Sequence, residues 1–448
     1  LKLKHIDPVG YTPDYEFGSA PRKREKYRAL HCEGVALERI ARRAGTPTYV
    51  YSRHSIEHAY RTLANAFGSL PHLVCYAVKA NSNLSILRIF AKLGAEFDIV
   101  SGGELDRLRR IGVRGDRIVF SGVGKSRDEI REALRYSAGR RRDQRGGILM
   151  FNVESSGELE VLLSESSRRG LANGVRVNAA IRINPDVMAG GHRHISTGYR
   201  HHKFGVGWDE AKRLYITHKA SPWIKWSGIS AHIGSQIVTI APFRRALVRI
   251  ASHVRELALA GIVLDHLDIG GGLGIRYTDE NPVKANAFAG ALSKIMRPLG
   301  CKLLLEPGRS LVGPAGVLLT RVLYVKPGGA KKFVVVDAGM NDLIRPALYD
   351  ATHPITKAVQ SGVGRSEPER VDIVGPVCET GDFLARDWPL ERVEPGDLLV
   401  VWAAGAYGFA EASNYNSRPR AAEVMVEGSR YRVIRRRESR HDMVRNEI

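Results

Sequence analysis

The sequence is short of several things, and each shortage excludes a class of protein. It has only 4 cysteines in 448 residues. Cys32, Cys75, Cys301 and Cys378 lie far apart and form no C-x-x-C pair, which argues against a disulfide scaffold and a cysteine metal site. No apolar run approaches the roughly 18–20 residues a membrane span needs. The opening residues, LKLKHIDPVGYTPDYEF, lack an apolar segment followed by small residues, so no secretory signal is expected there and the cytoplasm is the expected compartment. Aromatic residues make up 7%. Acid is scarce relative to base, with 47 Asp and Glu against 68 Lys and Arg and a formal net charge of +21. Such a balance raises the question of a polyanionic partner. The basic runs at residues 21–26, 140–142 and 435–437 carry no interleaved aromatics of the kind an RNA platform uses. An Arg-rich solvated surface is the expectation, with no nucleic acid partner and no membrane.

What is present is a soluble composition, 44% hydrophobic and 26% charged, and a length that suits two domains. Short apolar runs recur at 73–78, 96–100, 117–120, 148–151, 177–183, 227–231, 265–269 and 302–305. Helical patterns separate them, clearest at 84–93, 102–111, 241–260 and 286–298. Eight such units over about 240 residues have the size of a (β/α)₈ barrel; an open doubly wound sheet is the alternative. After residue 310 the helices drop out. Runs such as GVLLTRVLYV, KKFVVVDAG, RVDIVG, GDLLVVWAA and RYRVIRR, parted by Pro–Gly turns, predict an antiparallel β domain. The expected division is 1–46 as a segment packing on the β domain, 47–310 as the barrel and 311–448 as the β domain.

Barrels of this kind carry their sites at the carboxyl ends of the strands. Lys79 follows the first run, and Ser101–Glu104 the second, with Asp98 inside it. Asn152 ends the fourth, Arg182 and Asn184 the fifth, and His232–Gln236 the sixth. Gly270–Gly274 follow the seventh, and Glu306–Arg309 the eighth. Any one of these alone reads as an ordinary solvated charge, a satisfied polar residue or a turn. Gathered at one end of an apolar barrel, they form a set that suits aldehyde-cofactor chemistry on an amine. A lysine binds pyridoxal phosphate covalently. Glycines let backbone N–H groups approach a phosphate. A carboxylate such as Glu306, facing the pyridine nitrogen, strengthens the ring as an electron sink. His232 is placed to lie against the ring face.

Eight motifs carry a resemblance: YAVKAN (76–81), FDIVSGGEL (97–105), HIGSQ (232–236), GGGLG (270–274), EPGRSLVGPAG (306–316), DAGMNDLIRPALYDA (337–351), GPVCETGDFLARD (375–387) and GAYGFAEASNYNSRP (405–419). With them the chain resembles the fold-type III pyridoxal-phosphate decarboxylases, the diaminopimelate decarboxylase family above all, from about residue 30 to 440. The resemblance implies an alanine racemase-like architecture, a (β/α)₈ barrel plus a C-terminal antiparallel β domain. It implies pyridoxal 5'-phosphate as cofactor and conversion of meso-2,6-diaminopimelate to L-lysine and CO₂, the last step of lysine biosynthesis. It also implies residue roles. Lys79 is the Schiff-base lysine and His232 the ring-stacking residue. Ser235, Gly272, Gly308 and Tyr407 contact phosphate or cofactor, and Glu306 partners the ring nitrogen. Arg309, Arg345, Tyr349 and Tyr407 bind substrate. Cys378, as proton donor, and Glu379, as reader of a substrate ammonium, cross a homodimer interface into shared active sites.

Two features depart from the family pattern. Glu411 stands where an apolar residue is expected, and the stretch 192–203 is unusually rich in His and Arg. A decarboxylase of ornithine or arginine on the same fold is the nearest alternative activity. The paired arginines argue for a substrate with a distal carboxylate. A racemase suits Glu306 and the Cys378 motif less well. A cofactor-binding homologue without catalysis would have no need of Cys378 or Arg309.

Overall fold

The computed structural model describes residues 12, 14–19, 27–136, 147–169, 176–187, 203–329, 331–361 and 367–448. Its contacts separate two compact units. One comprises Tyr60–Gly274 and Pro282–Gly308, the other residues up to Ala59, Ile275–Asn281 and Arg309–Ile448.

The first unit is a closed barrel of eight strands, all parallel: His72–Ala77, Glu96–Ile99, Ile118–Phe120, Met150–Val153, Val177–Arg182, Ile224–Ser230, His266–Asp268 and Lys302–Leu305. It closes between the last strand and the first, with Leu303 opposite His72 and Leu305 opposite Val74. The apolar runs of the sequence become strands buried on both faces, as parallel strands covered by helices must be. Cys75, Val119, Met150, Ala180 and Leu304 form one fully buried cluster in it. Side chains fill such a barrel, so its polar groups are driven to the ends.

The helices begin where capping residues tell them to. Asn83 caps Leu84–Leu93 by accepting from Ser85 N–H, and Ser101 caps Gly102–Arg110 by accepting from Glu104 N–H. Ser126 and Glu129 form a capping box at the head of Arg127–Arg135. Ser155 caps Ser156–Arg168. Each cap is worth roughly 1 kcal/mol. Together they fix the loops that leave the carboxyl ends of the strands, and those loops hold the candidate site. The longer helices Ala241–Leu259 and Ala285–Met296 complete the pattern expected from the sequence. Among the described residues no helix is long and apolar enough to cross a membrane.

The second unit is built on a nine-stranded, mostly antiparallel sheet. Its central strand, Gly316–Gly328, pairs with Lys331–Val336, Leu398–Val401 and Thr48–Ser52. Two pairings are parallel, Lys331–Val336 with Glu369–Val374 and Thr48–Ser52 with Ala422–Glu427. Thr48–Ser52, read from sequence as the head of the barrel, thus lies inside this sheet. All five of its residues are buried. A strand flanked on both sides by partners hundreds of residues away gives no local sign of which sheet it joins. A smaller sheet of Tyr15–Ser19, Tyr27–Cys32 and Val359–Ser361 lies in the same unit. Leu30, Leu37 and Ile40 share a core with Val317, Leu319, Val400 and Trp402. The basic runs 21–26 and 140–142 and most of the His/Arg-rich stretch 192–203 lie outside the described residues.

Candidate active site

The barrel unit holds a cavity of about 380 Å³ lined by Lys79, Ser121, Arg182, Phe204, His232 and Glu306, among others. Lys79 sits in a single turn, Val78–Ala80, directly after the first strand. Its Nζ lies 2.5 Å from Asp98 Oδ2, and its side chain is 36% exposed while that of Asp98 is fully sealed. The amine therefore reaches the cavity and the carboxylate behind it does not.

Behind the amine the barrel end is rich in buried acid. Asp98, Asp268 and Glu306 are all buried. Glu306 accepts from Ser121 Oγ at 3.2 Å and from Asn152 Nδ2 at 3.5 Å. Asp268 accepts from Asn152 Nδ2 at 2.9 Å, Ser230 Oγ at 3.1 Å and the Gly270 N–H at 2.8 Å. Burial pushes both carboxyls up, and Asp268 and Asp98 push Glu306 further. Asp268 has more donors favouring its ionised form, so the proton shared by the pair rests on Glu306. Glu104, which accepts from Val100 N–H at 2.7 Å, is pushed up to about 7 by burial.

His232 follows the sixth strand. Its Nδ1 accepts from the Gly271 N–H at 3.1 Å, which places the imidazole proton on Nε2. Burial, with the charges of Arg182 and Lys79, holds its pKa well below the usual histidine range, so the ring stays neutral. Arg182 pairs with Glu154 at 2.8 Å and lies 4.9 Å from the Phe204 ring centre.

The glycine cluster after the seventh strand is required by close approach. A Cβ on Gly271 would fall 2.2 Å from Glu306 O, and one on Gly272, whose φ is +102°, 2.3 Å from Gly234 O. Gly308 leaves a similar gap, since a Cβ there would lie 2.8 Å from Ala80 Cβ. Backbone from the loops after the sixth, seventh and eighth strands meets here, with Ile237 N–H donating to Gly272 O and Glu306 N–H to Gly270 O. Ser235 lies on the first of these loops.

The second unit gathers a different set. Arg309 opens the short helix Arg309–Val312 and Arg345 opens Arg345–Tyr349; both are buried. Arg309 Nη1 donates to Tyr277 Oη at 2.7 Å, and its guanidinium lies 4.9 Å from the Tyr407 ring centre. The Arg345 guanidinium stands 5.7 Å from Tyr349, 5.9 Å from Tyr407 and 6.0 Å from Tyr277. Tyr407 adopts a left-handed backbone, φ +56°, on a loop where a Cβ at Gly405 would meet Val312 O at 1.9 Å. Burial pushes Glu411 up, Arg345 and Arg309 pull it back, and its Oε2 is buried without a hydrogen-bond partner.

Arg309, Arg345, Tyr349 and Tyr407 are thus brought together. Cys378 and Glu379 are exposed and share none of these contacts; the Cys378 N–H donates to Asn416 Oδ1 at 2.7 Å. Sequence reasoning missed Asp268, Ser121, Tyr277 and His353. Asp268 ends the seventh strand just before the glycines and was legible in principle. Tyr277 and His353 lie in irregular segments where no periodicity marks them.

Residues 53–313 match the family described as the pyridoxal binding domain of pyridoxal-dependent decarboxylases. The diaminopimelate decarboxylase of Pseudomonas aeruginosa is 50% identical over 93% of this chain and 96% of its own. The crystal structure of the Helicobacter pylori diaminopimelate decarboxylase complexed with L-lysine has a TM-score of 0.85 at 40% identity, covering 92% of this chain and 99% of that one. The M. jannaschii diaminopimelate decarboxylase in co-complex with L-lysine has a TM-score of 0.87 at 34% identity and covers 98% of each chain. With the lysine, the buried carboxylates and the glycine loops in the positions those motifs demand, the chain belongs to the pyridoxal-dependent decarboxylases, in the diaminopimelate decarboxylase family.

Proposed function

We propose that this protein removes CO₂ from meso-2,6-diaminopimelate to give L-lysine, using pyridoxal 5'-phosphate held at Lys79. The observation that carries the reading is the barrel end: an amine facing a cavity, an excess of buried carboxyl behind it, and glycine loops beside it.

The residues fit the cofactor. Gly270, Gly271, Gly272 and Gly308 have no room for side chains, which is what a backbone cradle for a phosphate requires. Glu306, buried beside two further carboxyls, wants a cationic partner and would hold a protonated ring nitrogen. His232, neutral and fixed by the Gly271 N–H, suits the face of an aromatic ring. Tyr407 is assigned to the same contacts. Pyridoxal phosphate, when bound, supplies a sink for the electron pair left on the substrate Cα as CO₂ departs.

The chain's own groups do the rest. Lys79 supplies the amine that holds the cofactor and releases it to the substrate. Arg309, Arg345 and Tyr349 read the distal carboxylate, for which a planar guanidinium offers two parallel N–H donors. The Cys378 thiol returns a proton to Cα, and Glu379 reads the distal ammonium. Both are exposed, which suits delivery into the site of a second subunit in a homodimer. The cytoplasm is the proposed compartment; the four cysteines are free thiols.

A substrate panel tests the activity: diaminopimelate should yield lysine and CO₂, with ornithine, arginine and lysine slower by about 10²-fold or more. Faster turnover of ornithine or arginine would overturn it. Subunit mixing tests the shared site. Exchange between Lys79→Ala and Cys378→Ala should restore about a quarter of wild-type activity, because half the dimers are mixed and carry one intact site of two. Proven exchange without recovery would refute shared sites.

A further inference from the structure

Arg345 is buried, and among the described residues its guanidinium forms no ion pair with a carboxylate; its side-chain partner is His353. A guanidinium cannot shed its proton, so it must be satisfied by other means. Its Nε donates to His353 Nε2 at 3.3 Å, and His353 Nδ1 lies 2.9 Å from the carbonyl oxygen of Trp402. A ring nitrogen facing a carbonyl must carry its proton. His353 is therefore the Nδ1–H tautomer, and Nε2 is left with a lone pair aimed at Arg345.

We infer that His353 is a positioning residue for Arg345, turning the guanidinium so that its two Nη groups face the distal carboxylate of the substrate. This rests on the proposed role of Arg345 as a carboxylate reader. The chemistry allows His353 this role alone. Protonated at Nε2, it would set N–H against N–H and cation against cation. Burial, with the charges of Arg345 and Arg309, pushes its pKa down to about 3, so it stays an acceptor throughout the working range of the enzyme. The side chain is fully buried, and Tyr277 packs edge-on against it with ring centres 5.1 Å apart. The same tyrosine accepts from Arg309. His353 thus orients one arginine directly and touches the ring that positions the other. Had an acid taken its place, it would neutralise Arg345 and compete with the substrate carboxylate. A neutral acceptor fixes the geometry and leaves the charge available.

The test compares His353→Leu, which loses the acceptor and the donor, with His353→Gln, whose amide keeps one of each. Steady-state kinetics on diaminopimelate and calorimetric titration with L-lysine, which retains the distal carboxylate, are measured on holoenzyme of equal cofactor content. His353→Leu should raise KM and the Kd for lysine together by about 10-fold, the scale of one hydrogen bond to a charged group, with kcat changed far less. His353→Gln should recover most of that loss. His353→Asn, whose shorter amide keeps the donor to Trp402 but not the acceptor to Arg345, should show the loss alone and add none in an Arg345→Gln background, and this arm decides the matter if the leucine variant does not fold. Unchanged KM and Kd in folded His353→Leu, a fall confined to kcat, or independent addition of the two losses would each overturn the inference. If Arg345→Gln alone leaves KM and Kd unmoved, the carboxylate-reading role fails and the role of His353 falls with it.

Discussion

The two polar clusters handle buried charge in opposite ways. The barrel end has too much acid: Asp98, Asp268, Glu306 and Glu104 around the single amine of Lys79. The second unit has too much base: Arg309 and Arg345, with the Glu411 carboxyl an opposing charge that acts on both. A buried carboxyl can wait for a cation by keeping a proton, and burial with the neighbouring carboxyls pushes Glu306 that way. An arginine has no such option. It must wait charged, steadied by the rings of Tyr277, Tyr349 and Tyr407 and by the neutral His353. Both clusters are buried, so they differ in how the charge is held and not in exposure. Each excess matches what the proposed reaction would bring: a protonated ring nitrogen for the one, a substrate carboxylate for the other.

The largest break in this comparison is Lys79→Ala. It removes the cation paired with Asp98 and the amine proposed to hold the cofactor. Turnover should fall by on the order of 10³-fold or more, and borohydride should no longer fix cofactor to the chain. Retained attachment would place the anchoring amine elsewhere. Glu306→Gln comes next. It keeps the size and removes the proposed negative partner of the ring nitrogen, and kcat should fall by about 10²-fold with weaker cofactor binding. Turnover equal to wild type with cofactor bound would mean that Glu306 serves packing alone. On the other side, Arg345→Gln should raise KM by about 10- to 100-fold while sparing kcat.

Two smaller changes sharpen the comparison. Glu411→Gln removes the anion that tempers the arginines, so lysine and diaminopimelate should bind about threefold more tightly at alkaline pH. The Glu411 carboxyl is pushed up by burial; as pH falls through its raised pKa the wild type loses the same charge, and the difference should vanish. Weaker binding at alkaline pH would show that Glu411 contacts the substrate as a partner. Asp342 repeats the barrel's solution in the second unit: burial pushes it up to about 7, and its Oδ1 has no hydrogen-bond partner. Its pKa is raised on folding, so the stability it contributes is intact below about 4 and is lost as pH rises towards 7. Asp342→Asn should leave the melting midpoint unchanged near pH 4 and stabilise by on the order of 2 kcal/mol at pH 8. Equal effects at both pH values would contradict the shift.

The barrel was the legible part of the fold. Its strands are apolar because they are buried on both faces, so each stands out as a run, and helix caps such as Ser126 with Glu129 are local signals. The division of the chain was less legible. Thr48–Ser52 belongs to the sheet of the second unit, and its partners at Gly316–Leu319 and Ala422–Val426 are far along the chain. Ile275–Asn281 likewise leaves the barrel sequence to join the second unit. In the site, Lys79, His232 and Glu306 could be read because strand ends are where a barrel puts its chemistry. His353 and Tyr277 could not, because their roles come from an arginine's hydrogen bond and a ring contact that no spacing encodes. Glu411 was visible as a departure from the family pattern, but only its nearness to Arg309 and Arg345 gives the departure a meaning.

The central claim is that the barrel end keeps Glu306 protonated until a cation arrives, and infrared difference spectroscopy on Glu306 tests it most directly. Cofactor is removed, spectra are recorded before and after pyridoxal phosphate is added back, and Glu306→Gln identifies the band. Glu306 should show a protonated carboxyl without the cofactor and a carboxylate with it. A Glu306 already ionised before the cofactor is added, or one that stays protonated afterwards, would contradict the account.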